Sequence, residues 1–394
     1  MIIQNVKVYT EEKTFVDGAV AVQGGKFVNL PTDFDVKKGF DGAGEVIDGK
    51  GAYAIPGLID LHFHGCMGYD FCDGTKEAVS EIAKYELAAG VTGIAPATMT
   101  LPIEELIAIL ENAAAYRETQ NAASQENSQG APGADLLGVN MEGPFISVEK
   151  KGAQDERHII SCDTEVCEKF LRASGGLVKF IGIAPEKNKG VTDFISRMKR
   201  QVNISLAHTN ADYDTAKAAF DAGANHAVHL YNAMPPFTHR APGVIGAVCD
   251  SPHVNAELIC DGVHIHPSVV RATFRMLGGD RIIFISDSMR ATGMPNGRYL
   301  LGGLEVDVTG NRATLASNGA LAGSATNLMD CMRTAVRHMG IPLETAVACA
   351  TANPAKALGV YESRGSITPG KKADLVLLDK ELEIKLVVKD GVRV

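Results

Sequence analysis

The sequence predicts an α/β fold: a (β/α)8, TIM-like barrel with a small β-sandwich domain built from both termini. Two observations predict it. Short β-branched runs alternate with Ala-rich helical stretches over the middle ~300 residues, and the two ends of the chain share a different, strictly alternating pattern. Near the start this pattern appears in Ile2-Ile3-Gln4-Asn5-Val6-Lys7-Val8 and Ala19-Val20-Ala21-Val22, with Gly24-Gly25 between runs, which is the signature of hairpins. Near the end it returns in Ala373-Asp374-Leu375-Val376-Leu377-Leu378 and in Leu386-Val387-Val388-Lys389 before Asp390-Gly391. Neither end has enough strands to bury a core alone, so residues 1–55 and 361–394 are expected to share one small β-domain around a barrel of residues 56–360.

Within the barrel region, strands are expected at 58–64, 91–98, 137–142, 178–184, 204–208, 226–229, 256–260 and 281–287. Helical patterns intervene, as at 77–89, 103–118 and 213–222. Eight strands alternating with helices suit a closed barrel, with a doubly wound open sheet as the other arrangement. Residues 119–135 are polar and rich in Gly, Ser and Gln, and read as a surface loop.

Composition limits the function. The 394 residues are 45% hydrophobic and 22% charged, ordinary for a globular protein with a sizeable core. The net charge of −9 repels nucleic acid and anionic membranes, so an anionic ligand needs a local positive site. Residues 1–10 lack the pattern of a signal peptide, and no run approaches the ~20 apolar residues of a membrane span. Eight cysteines without a C-x-x-C pair suggest reduced, mostly buried thiols, and a cytoplasmic protein is expected.

His62 and His64 stand at i and i+2 at the end of the first barrel strand, so their imidazoles leave one face and can share a metal. Glu142, His208, His229 and Asp287 also fall at strand ends, the rim where barrel active sites are built. His208 and His229 lie about one strand-helix step apart and are expected on neighbouring strands. A metal centre requires this kind of convergence of neutral imidazoles and carboxylates. His158, His226, His253 and His338 read as structural or solvated, His266 as a helix entry, Asp60 as a supporting partner, Asp70 as a solvated turn residue, and Met141 and Phe145 as packing.

PGLIDLHFHG at 56–65, EGPF at 142–145, AHT at 207–209, HLYNAM at 229–234, DGVH at 261–264 and SDSM at 286–289 together resemble the N-acetylglucosamine-6-phosphate deacetylase family of the amidohydrolase superfamily. The resemblance spans the chain, including Gly365 to Leu375, which looks like the family's return into the small β-domain. It implies that Glu142, His208 and His229 hold one divalent metal and that His62 and His64 bind a second, with Glu142 bridging and Asp287 near both. One or two ions, Zn2+ or Fe2+, suit these ligands. A metal acidifies water and polarises an amide carbonyl, and Asp287 is then the proton shuttle.

Asn232 and Ala233 can offer donors at the barrel mouth, while Arg240 and His264 can supply charge to a phosphate. In the family the arginine can reach across a dimer interface, so a homodimer with shared sites is expected. The implied substrate is an amino-sugar phosphate. N-acetylgalactosamine 6-phosphate as substrate, a cyclic-amide hydrolase of the same superfamily and a sugar-phosphate sensor are the other readings. One position departs from the pattern: where the family commonly has a substrate-contacting histidine after Lys-Lys-Gly, this chain has Gln154, which is expected to bind the substrate by donating a hydrogen bond but cannot titrate.

Overall fold

The computed structural model describes residues 1–30, 44–126 and 133–394. The chain opens with a meander of β1 (Ile2–Tyr9), β2 (Phe15–Gln23) and β3 (Lys26–Val28), and β4 (Val46–Pro56) then lies parallel to β1. From β4 the backbone runs almost directly into β5 (Leu58–Asp60), the first barrel strand.

A small hairpin of β6 (Gly65–Cys66) and β7 (Tyr69–Asp70) follows. The second barrel strand is split into β8 (Val91–Ile94) and β9 (Ala97–Thr98), and so is the third: β10 (Asp135–Leu136) pairs with β8, and β11 (Val139–Phe145) with β9. β12 (Val178–Ile183), β13 (Asn203–Leu206), β14 (His226–Ala227), β15 (Asn255–Ile259) and β16 (Ile282–Ile285) add in turn, each parallel to the last. Between β16 and β5, bonds at the rim close the ring. Asp287 N–H donates to the His62 carbonyl at 3.0 Å, and His64 N–H to the Ser288 carbonyl at 2.7 Å. Buried Asp60 joins the same seam, accepting from the N–H groups of His62 at 3.2 Å and Ser286 at 3.3 Å.

Each of the eight runs read as a strand overlaps one, within a residue at 178–184 and 256–260, while others are split or shorter than expected. The strand holding His62 and His64 leaves the ladder at Asp60, because the chain must bend outward at the rim where those side chains sit. The helix Tyr213–Ala222 has the expected bounds: Asp212 caps it by accepting from Thr215 N–H, Ala216, Ala219 and Phe220 form its buried stripe, and Gly223 ends it. The expected loop at 119–135 is corrected. Thr119 to Glu126 continue the helix Ile103–Glu126, since Ala and Glu there favour helix over turn, while 127–132 lie outside the described residues. Buried Gln120 fastens that extension, donating to the Ala134 carbonyl at 2.9 Å and accepting from Leu136 N–H at 3.0 Å.

After β16 comes an element the sequence reading missed: the antiparallel sheet of β17 (Gly297–Leu301), β18 (Leu304–Thr309) and β19 (Arg312–Leu315). Its inner face, with Leu301, Val306, Val308, Ala313 and Leu315, packs over Met99, Met289 and Ala291 at the barrel mouth. The chain then returns to the first sheet with β20 (Leu375–Leu378), β21 (Ile384–Lys389) and β22 (Val392–Arg393), giving the order β22-β21-β20-β4-β1-β2-β3. Alternate residues of this sheet serve two cores. Leu375, Leu377, Leu386 and Val388 join Ile3, Val20 and Phe27 in a separate cluster, while Val376, Leu378 and Val387 pack on the main core. All eight cysteines are free, and among the described residues no helix is long and apolar enough to cross a membrane.

Candidate metal centre and active site

The backbone turns sharply where the barrel strands end. His208, His229 and Asp287 have φ of 44°, 28° and 50°, in the left-handed region that non-glycine residues rarely occupy. Such conformations persist only where the surrounding structure enforces them, and they cluster at functional sites. Here they aim three side chains at one point above the barrel axis. Glu142 reaches that point from β11, where Gly143 is obligatory: its φ is 115°, and a Cβ would lie 2.1 Å from the Thr100 hydroxyl oxygen.

Glu142 is the hub. Its Oε1 lies 2.7 Å from His229 Nε2, 2.9 Å from His208 Nε2 and 3.4 Å from His62 Nε2. Its Oε2 lies 3.3 Å from His64 Nε2, which in turn lies 3.4 Å from Asp287 Oδ1. Two overlapping groups can therefore hold a metal ion, His62 with His64 and Glu142, and Glu142 with His208 and His229.

Tautomers test the fit. His208 Nδ1 faces the Lys150 carbonyl at 2.8 Å, and His229 Nδ1 faces the Asn232 carbonyl at 3.2 Å. Carbonyls only accept, so each Nδ1 carries a hydrogen, and Nε2 is the ligand atom that each ring offers toward Glu142. Those two nitrogens are only 3.2 Å apart and share a carboxylate oxygen, an arrangement that calls for a cation between them. His62 repeats the logic. Its Nδ1 donates to Glu257 Oε2 at 2.8 Å, while its buried Nε2 has no hydrogen-bond partner. The donor set fits a divalent ion with imidazole and carboxylate ligands.

The electrostatics agree. Burial by itself would lower the His64 imidazole, but the Asp287 and Glu142 carboxylates lift it to about 10. Burial would raise Glu142, and His208 and His62 instead hold it well below the usual carboxylate range. Asp287 is also held low, His64 and His62 outweighing burial.

The cavity over this centre, ≈ 330 Å³, is lined by His64, Glu142, His208, His229 and Asp287, with Gln154, Asn232, Ala233 and His264 around them; His62 is wholly buried and does not line it. His264 is held by Asp261, whose Oδ2 accepts from its Nδ1 at 2.7 Å. Arg240 is the exception among the expected residues. It is exposed and lies in a separate depression beside Asn210 and Gly243, outside this cavity. Asp70 is corrected as well: it is buried rather than solvated, capping a short turn by accepting from Cys72 N–H at 2.8 Å. His266 does enter a helix, as the N-cap of Pro267–Leu277.

Several site residues escaped the sequence reading. Glu257, fully buried on β15, accepts from His62, from His229 N–H at 3.0 Å and from His226 Nε2 at 2.8 Å, so one carboxylate orients two of the candidate ligands. Its signal was a lone carboxylate between Ala256 and Leu258 in an apolar strand. Lys150, which donates to the Met234 carbonyl at 3.3 Å, brings a cation to the cavity wall, and Leu301 and Gly323 supply part of its roof.

Residues 53–394 match the model of the amidohydrolase family. An N-acetylglucosamine-6-phosphate deacetylase of Bacillus subtilis is 34% identical over 99% of this chain and 96% of its own length. An N-acetylgalactosamine-6-phosphate deacetylase of Escherichia coli O157:H7 is also 34% identical, over 85% of this chain and 86% of its own. Among solved structures, the N-acetyl-D-glucosamine-6-phosphate deacetylase of Mycobacterium smegmatis superposes with a TM-score of 0.88 at 29% identity, covering both chains completely. With a barrel whose strand ends gather four imidazoles and two carboxylates, and with this similarity along its whole length, the chain belongs to the amidohydrolase family.

Proposed function

We propose that this protein is a metal-dependent deacetylase that hydrolyses N-acetylglucosamine 6-phosphate to glucosamine 6-phosphate and acetate. The observation that carries the reading is the meeting of His62, His64, His208 and His229 on the two oxygens of Glu142, with Asp287 beside them at the floor of an open cavity. We assign Glu142, His208 and His229 to one ion and His62, His64 and Glu142 to a second, as Zn2+ or Fe2+. Bound ions supply Lewis acidity, bringing the pKa of water toward ~7 and polarising the amide carbonyl.

The protein's own groups do the rest. Asp287, held ionised, takes a proton from the attacking water and passes it to the departing amine, which must leave protonated for the tetrahedral intermediate to collapse forward. Glu257 fixes the His62 tautomer and the His229 backbone so that neither drifts during the reaction. Asn232, Ala233, His264 and the Lys150 ammonium receive the phosphate on one side of the cavity. Arg240 we assign to the neighbouring copy's phosphate in a homodimer, because its loop continues directly from the Asn232–Met234 wall and points its charge outward.

The galactosamine epimer is the second reading, since a relative named for that epimer is also 34% identical, over 85% of this chain. The test is acetate release from both N-acetylhexosamines with and without the 6-phosphate. Release from the phosphorylated glucosamine derivative, lost on chelation and restored by metal, is the expected result. Hydrolysis of cyclic amides in its place would overturn the assignment.

A further inference from the structure

Gln154 holds a position where the resembling family has a substrate-contacting histidine, and its surroundings give it a different task. The side chain is 2% exposed and fixed at both ends. Thr100 N–H donates to its Oε1 at 2.6 Å, so flipping the amide would set NH2 against a backbone donor. The NH2 end must therefore face Glu142, and it donates to Oε2 at 2.8 Å, with Met99 Sδ 3.8 Å away on its other side. Its donors are engaged with the protein, not presented to a ligand.

This makes the two oxygens of Glu142 unequal. Oε1 faces three imidazoles and takes no other donor among the described residues, whereas Oε2 faces His64 and already receives the Gln154 amide. A hydrogen bond to a carboxylate oxygen stabilises its charge in place and uses one of its lone pairs, leaving that oxygen the poorer ligand. We propose that Gln154 is a positioning residue that ranks the two ion sites, making Glu142–His208–His229 the tight one and His62–His64–Glu142 the weak one. The ranking rests on reading the centre as a metal site.

The experiment is calorimetric titration of the chelator-stripped protein with Zn2+, comparing wild type with Gln154→Leu. Wild type is expected to show two separated dissociation constants. In the variant the weaker constant should tighten, because Oε2 regains the lone pair that the Gln154 amide occupies, while the tighter one stays in place. On a His64→Asn background, where the weak site has lost a ligand, Gln154→Leu should leave the remaining constant unchanged. Gln154→Asn, too short to reach Oε2, makes the same comparison if leucine is not accommodated. Equal weakening of both constants would show a merely structural role and overturn the ranking, as would an unchanged weaker constant. Absence of any Zn2+ binding by wild type would instead remove the metal reading beneath it.

Discussion

Asp287 sits in a left-handed backbone conformation at the end of the eighth barrel strand, and its carboxylate faces the His64 imidazole at 3.4 Å and that of His62 at 3.8 Å, with no backbone or side-chain amide donating to it among the described residues. Partners that are themselves imidazoles, rather than fixed amides, suit a group that must accept and release a proton. Asp287→Asn preserves the shape but removes the basic oxygen, so kcat is expected to fall by roughly 10²–10⁴ with little change in substrate affinity. Rates measured at matched metal content decide this, and a variant as fast as wild type would move proton transfer to another residue. The residues legible in the sequence were those whose type is unusual for a strand end: His62, His64, Glu142, His208, His229 and Asp287. Glu257 was not legible, because its meaning lies in His62 and His226, 195 and 31 residues away. Gln154 was noticed for its departure from a pattern, but the donor it offers goes to Glu142, which only coordinates could reveal.

Among the elements, those defined by their own periodicity were read well, and those defined by a neighbour were not. Tyr213–Ala222 has its cap, stripe and stop within the twelve residues from Asp212 to Gly223. The β17–β19 sheet instead owes its existence to the apolar mouth of the barrel, and its turn signals, Gly302-Gly303 and Gly310-Asn311, do not say where it packs. β11 shows how an element sets the site. It must pass so close to Thr100 that position 143 has no room for a Cβ, and that approach fixes the neighbouring Glu142. Gly143→Ala is expected to destabilise by about 2–5 kcal/mol, combining backbone strain with overpacking. Pairing it with Thr100→Ala, which removes the atom that the new Cβ would meet, should recover the overpacking part alone. Chemical denaturation of the four variants reads this cycle, and additive costs for Gly143→Ala and Thr100→Ala would mean that the two sites do not touch.

At the scale of the whole molecule, the sheet made from the two chain ends meets the barrel through a buried ionic cluster at the start of β10. Asp135 accepts from Arg364 at 2.7 Å, Lys389 at 2.9 Å and Lys372 at 3.1 Å, and Arg364 also lies 3.4 Å from Asp374. These cations belong to the returning C-terminal segment, so the cluster registers that segment on the barrel wall. Burial would raise the Asp135 carboxyl, but Arg364, Lys389 and Lys372 overcome it and hold the group far below the usual carboxylate range. A folded pKa below the unfolded value of ~3.9 means that the stabilisation is fully present above that value and is lost as pH falls toward the folded pKa. Asp135→Asn leaves buried cations with too few partners and is expected to cost about 3–5 kcal/mol at pH 7. Since asparagine does not titrate, the variant's stability should fall less steeply than that of wild type on acidification below ~4, and the gap between them should narrow. Urea midpoints measured from pH 7 down to the acid limit of folding test both statements. Equal midpoints at pH 7, or a gap that stays constant with pH, would show that Asp135 is not what binds the terminal sheet to the barrel.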